Sequence, residues 1–196
     1  MSDTFDYDLV CIGSGPAGQR AAVQAAKLGR RAAVIERRGS LGGVCLDTGT
    51  IPSKTFREAV LWTVTSAERA EGSLDGISAA RPTAEMLLAR VQDVVSREAA
   101  VIANQLRRNG VDVIRGEASF RDPHRLVVTN GETWREITAA NVLIAVGTVA
   151  AAAPGAAADG ATIFTSDDIC RLTRIPRSIA VVGAGVIGME YASMFA

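Results

Sequence analysis

Tyr7-Asp8-Leu9-Val10-Cys11-Ile12-Gly13-Ser14-Gly15-Pro16-Ala17-Gly18 opens the stretch that decides the fold, and Gln19 to Glu36 completes it. A short apolar run bounded by glycine reads as a buried parallel strand. Three glycines at Gly-x-Gly-x-x-Gly spacing follow, then an alanine-rich helical pattern from Gln19 to Leu28 with Gly29 as its C-cap. Arg31 to Glu36 is a second strand, so the stretch is a complete β-α-β unit. In that setting Gly13 permits a tight turn, Gly15 lets backbone approach a pyrophosphate, and Gly18 lets the helix pack closely on the strand. The helix N-terminus favours the pyrophosphate's negative charge. Glu36 can accept hydrogen bonds from ribose hydroxyls and would repel a 2′-phosphate, so the unit suits FAD or NAD rather than NADP. A purely structural glycine turn with a surface glutamate is the competing reading.

Downstream, Pro52 to Glu68 is expected to be helical, and Ala70 to Arg81 a polar connection. Thr83 to Arg108 has the pattern of a long amphipathic helix. Leu87, Leu88, Val91, Val94, Val95, Val101, Ile102 and Leu106 form its apolar stripe, and Gly110 stops it. Val111 to Ile114 reads as a buried strand. Ala118 to Phe120, Arg125 to Thr129 and Thr133 to Thr138, with turns at Asp122-Pro123 and Asn130-Gly131, read as an antiparallel meander. Asn141 to Ala145 reads as a further, separate buried strand. Val149 to Gly160 is an Ala/Gly/Pro linker, and Ile179 to Ala196 starts a second unit: strand, Gly183-Ala184-Gly185-Val186-Ile187-Gly188, helix.

The 196 residues suffice for one domain with a core, or one and a fraction. Apolar residues at 48 % and charged residues at 21 % are an ordinary globular balance, and 21 basic against 21 acidic residues leave no nucleic-acid footprint. Cys11, Cys45 and Cys170 are too few and scattered for a secreted disulfide framework, and Cys11 reads as a small hydrophobe. Neither a signal peptide nor a membrane span is legible, which makes a soluble cytoplasmic protein the expectation. One histidine, His124 in a meander turn, and dispersed cysteines cannot supply a metal site.

Gly42-Gly43-Val44-Cys45-Leu46-Asp47-Thr48-Gly49-Thr50-Ile51-Pro52-Ser53-Lys54, lying between the two glycine fingerprints, resembles the redox-active segment of the pyridine nucleotide-disulfide oxidoreductases. In most of that family two cysteines flank a four-residue gap. Here Cys45 fills the first position and Thr50 the second, and a hydroxyl cannot form a disulfide. The resemblance covers almost the whole chain and decides for FAD at the first fingerprint, since the family's segment lies beside the isoalloxazine. It implies a Rossmann-like, three-layer α/β fold that binds FAD over 1–148, with the meander inserted, a linker over 149–178, and the start of a second, Rossmann-like NAD(P)-binding domain over 179–196.

It also implies site roles. Gly13, Gly15, Gly18, Glu36, Arg37, Gly42, Gly43, Cys45, Lys54, Ala118, Ala145 and Gly147 would serve FAD, and Gly183, Gly185, Ile187, Gly188 and Glu190 would serve NAD(P). Gly116-Glu117-Ala118 matches backbone near the adenine, and Val146 stands where the family carries threonine. Lys54 falls in the first turn of a helix, where its charge opposes the dipole and calls for a specific partner; the family pairs this lysine with a glutamate near the flavin. Lys54, Thr50 and Cys45 are the candidates beside the reacting ring; without a partner Cys45 is a bystander, the favoured reading, or a tunable thiol.

Within the family, Gly49 to Lys54 and Thr55 to Val60 are similar to the soluble, Si-specific FAD-containing transhydrogenases. That implies transfer of reducing equivalents between NADPH and NAD⁺. A cysteine-deficient reductase, either dihydrolipoamide dehydrogenase-like or using a quinone or another small acceptor, is the alternative. A non-catalytic flavin-binding truncation is another. Family members are longer, with a dimerisation domain that makes them homodimers, so the chain reads as an N-terminal fragment, inactive alone. Its Ile179 to Ala196 tail is expected to have little to pack against.

Overall fold

The computed structural model describes residues 5–71, 83–151 and 155–196. The polar connection expected over Ala70 to Arg81 lies largely outside the described residues, as does part of the Val149 to Gly160 linker. The chain divides into two compact units. One comprises Met1–Asp47 and Ser96–Val149, the other Thr48–Val95 and Ala150–Ala196.

In the first unit, strand β1 (Tyr7–Ile12) leads into helix α1 (Pro16–Lys27) and returns as β2 (Ala32–Glu36). Pro16 occupies the first turn of α1, where its missing N–H costs nothing. Gly29, at φ +73°, ends the helix; its N–H donates to the Ala26 carbonyl and that of Arg30 to the Ala25 carbonyl, a Schellman closure. β3 (Asp112–Arg115), β4 (Glu117–Asp122), β5 (Arg125–Asn130) and β6 (Thr133–Ile144) complete one six-stranded order, β3-β2-β1-β6-β5-β4. β3, β2, β1 and β6 run parallel, while β4, β5 and β6 form an antiparallel meander.

Alternation along β1 and β2 sorts the two faces. Val10, Ala33 and Ile35 join Ile114, Leu126, Val128, Ile137 and Ala139 in one core, so the meander packs on that face of the parallel sheet. Cys11 points the other way, its thiol on the backbone of Ala22 in α1, and burial pushes that thiol up to about 11. Helix, parallel sheet and meander are thus three layers of a mixed α/β fold.

Two expected strands prove to be one. No glycine, proline or turn residue separates Ile137 from Asn141, so β6 stays extended for 12 residues and changes partner partway. Arg125 to Asn130 pair antiparallel with its first half, and β1 pairs parallel with its second, from Tyr7 opposite Ala139 to Ile12 opposite Ile144. At the crossover the Asp6 carboxylate accepts hydrogen bonds from the Thr138 amide (2.7 Å) and hydroxyl (2.9 Å). The second half is only partly buried, with Ile144 63 % exposed, where a buried strand was expected.

Helix α3 (Thr50–Glu71), the 25-residue α4 (Ala84–Arg108), a 3₁₀ turn (Ser166–Arg171) and α5 (Val186–Phe195) follow in chain order. The short helix α2 (Val44–Asp47) precedes them and was not legible, being shorter than two helical turns. The α4 stripe holds except at Val101, which is exposed. Successive helical residues point about 100° apart, so with Ile102 and Leu106 inward Val101 faces out.

In the second unit Phe56, Leu87, Val91, Ile169, Tyr191 and Met194 form one core. Within the stretch expected as a linker over 149–178, the 3₁₀ turn delivers Ile169 to that core. Two expectations are corrected here. The tail does find packing: Tyr191 and Met194 are buried, and the rings of Phe195 and Phe56 lie 5.7 Å apart. The strand expected at Ile179 to Val182 does not form, since an extended apolar segment becomes a strand only by pairing and none pairs with it among the described residues.

Candidate functional site

Within the first unit, the loops that follow β1, β2 and β6 gather at the C-terminal end of the parallel sheet, where α/β sheets place their ligands. Gly13 sits at φ +108°, and a Cβ there would strike the Ala145 carbonyl. A Cβ on Gly18 would strike the Gly13 carbonyl, so only glycine lets α1 approach β1 this closely. Gly15 has open space beside it and caps α1 without any side-chain bond, leaving first-turn amides for an anion. Gly43, at φ +63°, brings its loop so near that its Cβ would lie 3.0 Å from the Gly15 Cα. Gly147 lies at φ +72° beyond β6, with Val44 its nearest neighbour.

Glu36 ends β2 and is buried. Its Oε2 accepts from the Ser14 amide (3.0 Å) and hydroxyl (2.5 Å), and its Oε1 from the Arg38 amide (2.8 Å). Burial raises the carboxyl, but the Ser14 and Arg38 bonds outweigh it and hold Glu36 below the usual range. The Glu36 carbonyl takes the Gly116 amide (3.0 Å), which fixes the β3–β4 corner. Arg37 is exposed and reaches Glu117 at 3.3 Å. Arg38 pairs with Asp47 at 3.0 Å, and Asp47 also accepts from the Ser40 hydroxyl. Ala118 stands opposite Val128 in the meander, half buried on the core. The Ala145 amide donates to the Ile12 carbonyl. Cys45 is a free, half-buried thiol in α2.

In the second unit, Thr50 is exposed at the start of α3, and the Thr48 hydroxyl just before it is buried with no hydrogen-bond partner. Lys54 forms an ion pair with Glu190 of α5. The partner demanded by a lysine at a helix N-terminus is therefore found 136 residues away, on a glutamate that the sequence groups with the second glycine set. Gly183, at φ +114°, and Gly185 have open space beside them. Gly185 caps α5 without a side-chain bond, and Gly188 packs against the Gly183 carbonyl and Val181, while Ile187 is exposed. The local geometry of the first fingerprint is thus repeated. His124 stays outside these loops: its Nδ1 lies 3.0 Å from the Ala139 carbonyl and its ring rests on Phe5.

Ser14, Arg38 and Asp47 escaped the sequence reading. Ser14 occupies a variable position between two glycines, and only its place inside the fingerprint hinted at it.

The model of the pyridine nucleotide-disulphide oxidoreductases matches residues 7–196. The soluble pyridine nucleotide transhydrogenase of Mycobacterium bovis is 48 % identical over 194 residues, covering 97 % of this chain and 41 % of the relative. The dihydrolipoyl dehydrogenase of Synechocystis is 34 % identical over 197 residues, again covering 41 % of the relative. The chain spans about two fifths of the length of the curated relatives it matches. Among solved structures, the Cu(II) complex of the HOCl-induced flavoprotein disulfide reductase RclA from Escherichia coli superposes with a TM-score of 0.78 at 30 % identity, over 98 % of this chain and 40 % of that one. Among the described residues no helix is long and apolar enough to cross a membrane. FAD and nicotinamide nucleotides are the cofactors these likenesses imply, and the residues fit them: two uncapped helix N-termini behind positive-φ glycines, space beside Gly15 and Gly185, and an orphaned Thr48 hydroxyl. The chain belongs to the pyridine nucleotide-disulphide oxidoreductase family.

Proposed function

We propose that this chain is the flavin-binding part of an Si-specific, FAD-dependent transhydrogenase, which moves reducing equivalents between NADPH and NAD⁺ without a redox-active disulfide. One observation carries the reading: Cys45 is a free thiol, and the position that would supply its partner is an exposed threonine, Thr50. The transhydrogenase relative at 48 % identity supports it. The bound flavin supplies hydride acceptance and donation.

The chain's own residues do the rest. The Gly13, Gly15 and Gly18 turn and the first-turn amides of α1 receive the pyrophosphate. Glu36 takes a ribose hydroxyl, and Arg37 and the backbone of Ala118 flank the adenine end. Gly42 leaves room for Leu46 and Ile102, Gly43 lets its loop approach Gly15, and Ala145 and Gly147 line the cofactor's side of the β6 end. Lys54, paired with Glu190, would supply a fixed positive charge to a bound flavin, as the family resemblance implies. Thr50 closes the route by which a disulfide would compete for electrons, and Cys45 is a bystander. Gly183, Gly185, Ile187 and Gly188 begin the nicotinamide site. The full-length protein works in the cytoplasm as a homodimer.

The test is acceptor preference of the full-length protein. Rapid transfer from NADPH to NAD⁺, with lipoamide and glutathione disulfide left unreduced, is expected. Thiol–disulfide turnover that depends on Cys45 would overturn the proposal, and a quinone outcompeting NAD⁺ would replace it with a quinone reductase. The 196-residue chain alone is expected to transfer nothing.

A further inference from the structure

We infer that Ser14 is the positioning residue of the flavin site: it clamps Glu36 and the Gly42–Gly43 loop together, so that the ribose acceptor is aimed before the cofactor arrives. This rests on the proposed flavin site and adds a residue to it.

Ser14 is fully buried. Its amide and hydroxyl both donate to Glu36 Oε2, and its hydroxyl oxygen accepts from the Gly42 amide at 3.1 Å. One small side chain therefore joins the β1–α1 turn, the end of β2 and the Gly42–Gly43 loop. A carboxylate offers about four lone-pair positions. Ser14 fills two on Oε2 and the Arg38 amide one on Oε1, leaving the second position on Oε1 for a ribose hydroxyl. Ser14 thus selects which oxygen is free. By holding Gly42 it also sets the approach of Gly43 to Gly15, the gap through which backbone must reach a pyrophosphate. A hydroxyl donates to one neighbour while accepting from the other, and a thiol does both only weakly. Alanine at this position would leave a buried amide and a carboxylate oxygen short of partners.

Charged groups flank Glu36: Arg37 follows it and pairs with Glu117, Arg38 comes next and pairs with Asp47 of α2, and Arg115 stands opposite in β3 and donates to the Arg38 carbonyl. With the Ser14 hydroxyl gone, the Ser14 and Arg38 amides and the Arg38 charge would still favour ionised Glu36, but its largest lowering contribution would be lost and its titration would move upward.

The experiment measures the FAD dissociation constant of full-length apoprotein by flavin fluorescence between pH 4.5 and 8, for wild type, Ser14→Ala, Ser14→Cys, Glu36→Gln and the Ser14→Ala/Glu36→Gln pair. The expected result is a loss of about tenfold or more for Ser14→Ala, growing toward acid pH, with a smaller loss when Glu36 is already glutamine. Equal losses in both backgrounds with an unchanged pH profile would show mere loosening and overturn the inference. If Ser14→Ala fails to fold, Ser14→Cys decides: affinity between wild type and Glu36→Gln supports the clamp, and wild-type affinity refutes it. Wild-type protein that binds no flavin at any pH would instead refute the proposed function itself.

Discussion

Gly18 has no room for a methyl group, because its Cβ would enter the Gly13 carbonyl on the turn it packs against. Gly18→Ala is therefore expected to lower stability by about 1–3 kcal/mol, read from the urea midpoint. Glu36 gives a signed pH effect. Its folded-state pKa lies below the ordinary carboxyl value, so its stabilisation is fully present above that value and lost as pH falls through the folded one. Thermal melts at pH 6 and pH 3 should show wild type losing its advantage over Glu36→Gln on acidification; a constant difference would contradict the clamp around this carboxylate. Glu36 was legible as an acid ending a strand after a glycine turn. Ser14 was not, because its two side-chain bonds reach residues 22 and 28 positions away, a distance no local pattern encodes.

α4 lets one helix report on both faces. Leu106→Ala, deleting a fully buried side chain, should cost about 2–5 kcal/mol, whereas Val101→Ala, on the exposed side, should change stability by less than about 0.5 kcal/mol. Denaturant unfolding of the two variants checks the assignment of faces. On α5, the Tyr191 hydroxyl is buried beside the Cys170 thiol, a weak partner that makes no well-formed hydrogen bond with it, and burial drives its ionisation well up. Tyr191→Phe removes a poorly satisfied hydroxyl and leaves only a weak thiol partner, so it should be neutral or stabilise by up to about 1 kcal/mol in the same assay. Helix length and the apolar stripe of α4 were legible because a 3.6-residue period repeats several times. The four residues of α2 are too few for a period, and Ile179 to Val182 carry strand-like composition without a neighbour to pair with.

Across the whole molecule, β6 bears the heaviest structural duty, since it belongs to the parallel sheet and to the meander at once. Ala139 lies at the crossover, fully buried, opposite Tyr7, with its amide donating to the His124 carbonyl. Ala139→Pro would remove that bond and force a ring into the core, so a loss of at least about 2 kcal/mol is expected, with β1 and the meander losing amide-exchange protection together. The β-α-β unit, the helix-ending glycines, the meander hairpins and the absent second cysteine could all be read from the chain. Each depends on the conformational freedom or chemistry of residues that are neighbours in sequence. Folding alone decided that one strand serves both the parallel strands and the meander, that Ser14 holds Glu36, and that Lys54 meets Glu190. Those pairings arise from three-dimensional register, in which residues far apart along the chain satisfy buried polar groups and charges that their own neighbours leave unmatched.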